Sequence, residues 1–218
     1  CKALHLGDGD FCDGTTPAEA GWLGYFARDN TVLETVDVWR SANVDDLVQS
    51  FFTALVGNQS IKSIELYGID ILRAAPFLGT FLRSNKSLTR LTLDECTLSA
   101  DSGRNLGAAL HGCNKLNIFT LTACANEPDE GVTDESMVSF VKVLSTQTLL
   151  EKLELADICI GPRCCSILGI YLQTTSRLVT LDLAVNVIDG EALKSLAGGL
   201  EDCHSLRVLL LNNNNFGD

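Results

Sequence analysis

The sequence predicts an α/β solenoid in which short parallel strands build one sheet and a helix follows each strand. Three observations carry that prediction. An apolar-x-x-apolar-x-apolar phrase returns along nearly the whole chain, with its last two apolar positions at Leu4/Leu6, Val36/Val38, Ile64/Leu66, Leu91/Leu93, Phe119/Leu121, Leu153/Leu155, Leu181/Leu183 and Leu209/Leu211. Successive copies are 32, 28, 27, 28, 34, 28 and 28 residues apart, a period typical of stacked units that cannot bury their apolar faces alone. Between copies, apolar residues recur at spacings of three and four, which lays them along one helical stripe facing the same core.

Each phrase puts its two apolar residues on one side of a strand and the residue between them on the other. This predicts strands near 3–7, 35–39, 63–67, 90–94, 118–122, 152–156, 180–184 and 208–212, parallel because a helix separates each from the next. Thr16 followed by Pro17 marks the first helix start, an N-cap with proline at the first helical position. Asn43 is the expected cap of the second helix, whose stripe is Leu47, Phe51 and Leu55. The third carries Phe77, Phe81 and Leu82, with Pro76 four residues into its expected span, so that helix should start late, near Pro76, or kink. Ser99 is the expected cap before Leu106, Ala109 and Leu110, and Thr133 that of the fifth helix. Cys164 and Cys165 are adjacent on the sixth, and after Gly190 the seventh shows Leu193, Leu196, Ala197 and Leu200.

The cleanest unit reads Leu178-Val-Thr-Leu181-Asp-Leu183-Ala-Val-Asn186-Val-Ile188, and Asn214 repeats the asparagine in the last unit. This pattern, with a period near 28 and a helix in every unit, resembles the ribonuclease-inhibitor-like class of leucine-rich repeats. The resemblance implies a right-handed horseshoe with a parallel concave sheet and convex helices. At the asparagine position other units hold Ser41, Ile69, Cys96, Cys124 and Ile158; cysteine there is a known alternative in the family. The resemblance further implies recognition of a partner protein, as in a sensor, an inhibitor or a scaffold. A rival implication is a GTPase-activating protein of the Ran-system type, and a third is a structural subunit of a large assembly.

Composition narrows the partners. The chain of 218 residues is 46% apolar, enough for one continuous core, and is expected to form a single repeat domain over 1–218 of about eight units, the last incomplete. It has no initiator methionine and stops just after a strand, with no polar capping unit at either end. The expectation is therefore a piece of a longer protein, with further domains or subunits at both ends. A net charge of −12 argues against nucleic acid and anionic membrane and leaves proteins with basic or neutral surfaces. No stretch is long enough to span a bilayer, and the opening residues show no leader pattern. Of the nine cysteines, Cys96 and Cys124 share one repeat position and Cys113 and Cys203 another, which argues against a disulfide framework. They are expected to be reduced, mostly buried thiols of an intracellular protein, Cys96 and Cys124 being stacked rather than bridged.

Catalytic groups are not assembled by the repeat. His5, His111 and His204 fall on a first strand, a helix end and a return loop. Metal-ligand spacings are missing around Cys159, Cys164 and Cys165, so neither a metal nor any other cofactor is expected. The Gly7 to Asp10 stretch lacks the later glutamate of a calcium loop and reads as a solvated turn. What the repeat does assemble is a surface. Residues between the paired apolar positions are His5, Asp37, Glu65, Thr92, Thr120, Glu154, Asp182 and Leu210, and two places on come Gly7, Trp39, Tyr67, Asp94, Thr122, Ala156, Ala184 and Asn212. Strands stacked about 4.8 Å apart bring Trp39 and Tyr67 together, with Asp37, Glu65, Asp94 and Glu95 around them. Exposed aromatics ringed by carboxylates are the expected binding site for a Lys- or Arg-bearing protein partner; the bland alternative is that the rings merely cover the first strands. The long fifth unit adds an acidic loop with Glu127, Asp129, Glu130, Asp134 and Glu135, expected to be a solvated loop unless it reaches toward a basic partner.

Overall fold

Alternation in each repeat phrase becomes a sheet of eight parallel strands whose spatial order follows the sequence. The computed structural model describes residues 2–6, 15–39, 44–123 and 132–217. The strands are β1 (Ala3–Leu6), β2 (Thr35–Val38), β3 (Ser63–Tyr67), β4 (Arg90–Cys96), β5 (Ile118–Ala123), β6 (Lys152–Ala156), β7 (Thr180–Asp182) and β8 (Val208–Leu210). Among the described residues seven helices alternate with them: α1 (Pro17–Arg28), α2 (Val44–Leu55), α3 (Ile71–Ser84), α4 (Ser102–Leu110), α5 (Asp134–Leu144), α6 (Pro162–Thr174) and α7 (Gly190–Leu200).

The register is that of the repeat. Leu4, Val36, Ile64, Leu91, Phe119, Leu153, Leu181 and Leu209 stand side by side across the sheet. The six inner members of this row are fully buried, while Leu4 and Leu209, at the two edges, are only partly covered. The helical stripes close the same core from one side: Leu47, Phe51, Leu55, Phe81, Leu82, Leu106, Ala109, Leu110 and Leu196 are all buried. Ala197, expected on the α7 stripe, is exposed instead, because α7 is the last helix and the side that its counterpart Gly169 on α6 turns toward α7 has no neighbour here among the described residues. Small residues set the helix spacing: a Cβ on Gly24 would lie 2.4 Å from the Phe51 carbonyl oxygen, and one on Gly169 2.4 Å from that of Ser195.

Local chemistry fixes most helix starts. Thr16 caps α1 in a full capping box, its Oγ1 accepting from Glu19 N while Glu19 Oε2 accepts from Thr16 N at 2.8 Å. Thr133 does the same for α5 with Ser136. One expectation fails, and of the two alternatives for α3 the late start does not occur. Ser99 does not cap α4, which begins at Ser102; Ser99 N donates instead to Ser102 Oγ in a preceding turn. And α3 starts at Ile71, capped by Asp70, well ahead of Pro76. Pro76 is tolerated because it lies on the exposed face, where the carbonyl of Leu72, deprived of its intrahelical donor, can turn to water. Asn43, Ser41, Cys124 and Gly7 to Asp10 lie outside the described residues.

Turns after the strands are tied in two ways. Asn186 Nδ2 donates to the carbonyls of Leu155, Leu183 and Ala184, and its Oδ1 accepts from Ile158 N and Ile160 N. Asn214 repeats this against Leu183, Leu211 and Ile188. Where the position holds Ile69, main-chain bonds take over: Thr97 N donates to Ile69 O and Ile71 N to Thr97 O. A second asparagine series, Asn30, Asn58 and Asn85, ties the helix-to-strand return loops.

Candidate functional site

Strand pleating sends every second residue to the sheet face opposite the helices, and the parallel register lines those residues up in rows. His5, Asp37, Glu65, Thr92, Thr120, Glu154, Asp182 and Leu210 pair one with the next across all eight strands. In the next row Tyr67 pairs with Asp94, and Thr122 with Ala156. Trp39 follows the last residue of β2, its N–H donating to Leu6 O. Its indole stacks on the Tyr67 ring with centroids 4.0 Å apart and planes 8° apart, and the residue stays 43% exposed.

The carboxylates surround this pair unequally. Glu65 accepts a 3.0 Å hydrogen bond from the Tyr67 hydroxyl. Burial, and then the Glu65 hydrogen bond and charge, push the Tyr67 phenol up to about 12, so it remains a donor at neutral pH. Asp37 Oδ2 lies 2.7 Å from His5 Nδ1, while Asp37 Oδ1 is buried and has no donor among the described residues. Burial, reinforced by the charge of Glu65, raises the Asp37 pKa, with His5 opposing. Asp94 accepts from the Thr122 hydroxyl and from Glu95 N, and Glu95 takes a left-handed conformation with φ 50° at the bulge between β4 and β5. Among the described residues, no Lys or Arg pairs with Glu65 or Asp94, whereas Glu154 at the other end of the row holds Lys152 Nζ at 2.7 Å. The structure thus brings Asp37, Trp39, Glu65, Tyr67, Asp94 and Glu95 into one surface.

His5 and Thr122 join that surface although neither stands among the expected binding residues; their place in the rows was the available signal. The acidic segment of the fifth unit is partly accounted for internally. Asp134 accepts from Gly161 N, Arg163 N and Cys164 N, capping α6 from the neighbouring unit, and Glu135 pairs with Arg163. A second aromatic group, Trp22, Tyr25 and Phe26, lies exposed on α1. Their spacing of three and four on an expected helix could have revealed it.

Other chemistry is sparse among the described residues. No group of three or more His, Cys, Asp or Glu side chains is placed to hold a metal ion, and no helix is long and apolar enough to cross a membrane. Cys113, Cys159, Cys164, Cys165 and Cys203 are free thiols, and Cys96 is buried. Burial pushes Cys113 up to about 11 and Cys165 to about 12, and burial together with Asp134 raises Cys164 further, so these are inert packing groups rather than nucleophiles.

Comparison with known proteins agrees with the repeat. No family model matches the chain. It is 31% identical over 162 residues to "Protein NLRC5" of Ictalurus punctatus, covering 72% of this chain and 9% of that protein. It is 29% identical over 212 residues to "NACHT, LRR and PYD domains-containing protein 14" of Mus musculus, covering 83% of this chain and 21% of that one. The chain therefore spans about a fifth or less of the length of these relatives. Among solved structures, the tropomodulin C-terminal domain of Caenorhabditis elegans superposes with a TM-score of 0.53 at 14% identity, covering 87% of this chain and 94% of that one, a likeness of fold alone.

Proposed function

We propose that this chain, which belongs to the leucine-rich repeat family, is a non-enzymatic interaction module that receives a basic protein segment on its outer sheet face. At the level of the family, relatives such as the NACHT, LRR and PYD proteins support protein interaction as the role. The observation that carries the finer reading is the stacked, exposed Trp39–Tyr67 pair set among Asp37, Glu65, Asp94 and Glu95. A guanidinium or ammonium over the indole gains cation–π attraction, and the neighbouring carboxylates supply its counter-charge. In this reading the sheet face is the concave surface of the solenoid, the protein works inside the cell with reduced thiols, and further domains flank the segment.

A direct test uses a peptide of alternating arginine and glycine as the probe and calorimetry as the readout. Trp39→Ala is expected to weaken binding by about 2 kcal/mol, roughly thirtyfold, with the melting temperature nearly unchanged. Asp37→Lys or Glu65→Lys should mainly slow association and flatten its salt dependence. Loss of fold stability in Trp39→Ala with binding intact would make the ring a cover for the first strands and end the proposal. Small GTPases mixed with the chain should hydrolyse GTP no faster than alone; acceleration would favour an activator.

A further inference from the structure

On the outer face of the sheet, the two ends of β4 carry opposite charges. Leu91 and Leu93 are fully buried, so alternation puts Arg90, Thr92 and Asp94 together on the face away from the helices. Ser63, Arg90 and Ile118 pair in register across β3, β4 and β5, which leaves Arg90 between two uncharged neighbours. It is exposed and makes no ion pair among the described residues.

The strand β6 shows how such a charge is quenched elsewhere. Lys152 holds the same register position, beside Ile118, and closes on Glu154 two residues along at 2.7 Å. On β4 the place of that glutamate is taken by Thr92, which gives Arg90 no counter-charge on its own strand. Glu65, in the next row on β3, is turned to the Tyr67 hydroxyl, and Glu34 is taken up by Lys2 and Lys62. At the other end of β4, Asp94 has no cation among the described residues. Its Oδ1 accepts from Thr122 Oγ1 and Glu95 N, which hold the carboxylate in one orientation at the end of the strand, where Tyr67 is its partner in the sheet. Four residues of a parallel strand span about 13 Å. That exceeds the reach of exposed charges at physiological salt, so Arg90 and Asp94 do not neutralise each other.

We propose that the partner segment received on this face is extended, lies along β4 and carries both signs of charge: a basic residue at Trp39, Tyr67 and Asp94, and a carboxylate four residues from it at Arg90. This rests on the reading of the outer sheet face as the surface that takes a basic segment. An extended backbone repeats the interval of β4, so that residues i, i+2 and i+4 of the segment stand over Asp94, Thr92 and Arg90 while the two between them face away. The planar guanidinium of Arg90 suits a carboxylate held by two parallel N–H···O bonds, and the middle position suits a small hydroxyl side chain against Thr92.

The test titrates the full chain, followed by NMR, with the end-blocked peptides Arg-Gly-Ser-Gly-Glu, Arg-Gly-Ser-Gly-Gln and Arg-Gly-Glu-Gly-Ser, each also in the reverse order. In at least one order the first should bind about two- to fivefold more tightly than the second, the weight of one exposed ion pair. It should lead the third by a similar factor, because there the carboxylate falls over Thr92. Added salt should shrink this advantage, and Arg90→Gln should abolish it, since that change leaves the main-chain bond from residue 90 to Lys62 O in place. Equal binding of the glutamate and glutamine peptides in both orders, or a preference that survives in Arg90→Gln, overturns the proposal and leaves the basic-segment reading standing. If no peptide binds, or if Trp39→Ala weakens none of them, both fall together.

Discussion

Asp37 is held by one oxygen on His5 while its other oxygen is buried with no donor among the described residues, and its pKa is raised, first by burial and then by Glu65. Between the ordinary 3.8 and the raised value the folded protein therefore holds a proton that the unfolded chain has already released, and stability falls as pH rises through that window. Asp37→Asn is thus expected to melt above the parent at neutral pH, with the gap closing as pH drops below 3.8, where both forms are uncharged. Thermal melts from pH 3 to pH 7 check this, and a variant that melts lower at neutral pH would mean that the His5 contact outweighs the burial. The neighbourhood of Trp39, Tyr67 and the carboxylates was legible in the sequence because it needs only a period and an alternation. The contacts His5–Asp37, Tyr67–Glu65 and Asp134 with the start of α6 were not. They depend on rotamers and on hydrogen bonds across units, which periodicity does not encode.

At the scale of single elements, the strand phrase and the asparagine turn do different work. Leu181 on β7 is fully buried, as is Leu183 just after it, so either one changed to alanine should cost about 2–5 kcal/mol in denaturant melts. Asn186→Ala removes a side chain that serves Leu155 O, Ile158 N and Ile160 N, costing about 1–3 kcal/mol for each buried group left without a partner. Asn214→Ala should cost less, since Asn214 lies at the open end and is only half-buried. Equal losses would show that the two turns share the load evenly. Strand positions followed from the phrase to within a residue or two, whereas helix starts followed only where side-chain capping decides them, as at Thr16 and Thr133. Ser99 failed because a serine three residues later closes a turn first, and Pro76 misled because exposure of its face makes the lost bond cheap.

Across the whole molecule, each strand pairs only with its sequence neighbours, so stability should be a sum of units and of the interfaces between them. Removing one unit in register is then a tolerated change, while removing part of one is not. Deleting residues 152–179 brings Thr180 to the place of Lys152, its direct partner in the sheet. Thr180 N, now joined to Glu151, takes the place of Lys152 N, which donates to Asn117 O in the intact protein, and Val141 and Val143 of α5 face Ala197 and Gly199 of α7 without a clash of large side chains. The shortened chain is expected to keep the parent's circular dichroism per residue and one cooperative transition at a lower temperature, because it loses one interface of the series. A deletion of residues 152–165 removes β6 and the start of α6, leaves the rest of that helix without its strand, and breaks the row of buried leucines. It should give a chain without a cooperative melt. If both deletions melt alike, coupling beyond nearest neighbours holds the solenoid together, and its units are not the independent building blocks that their spacing implies.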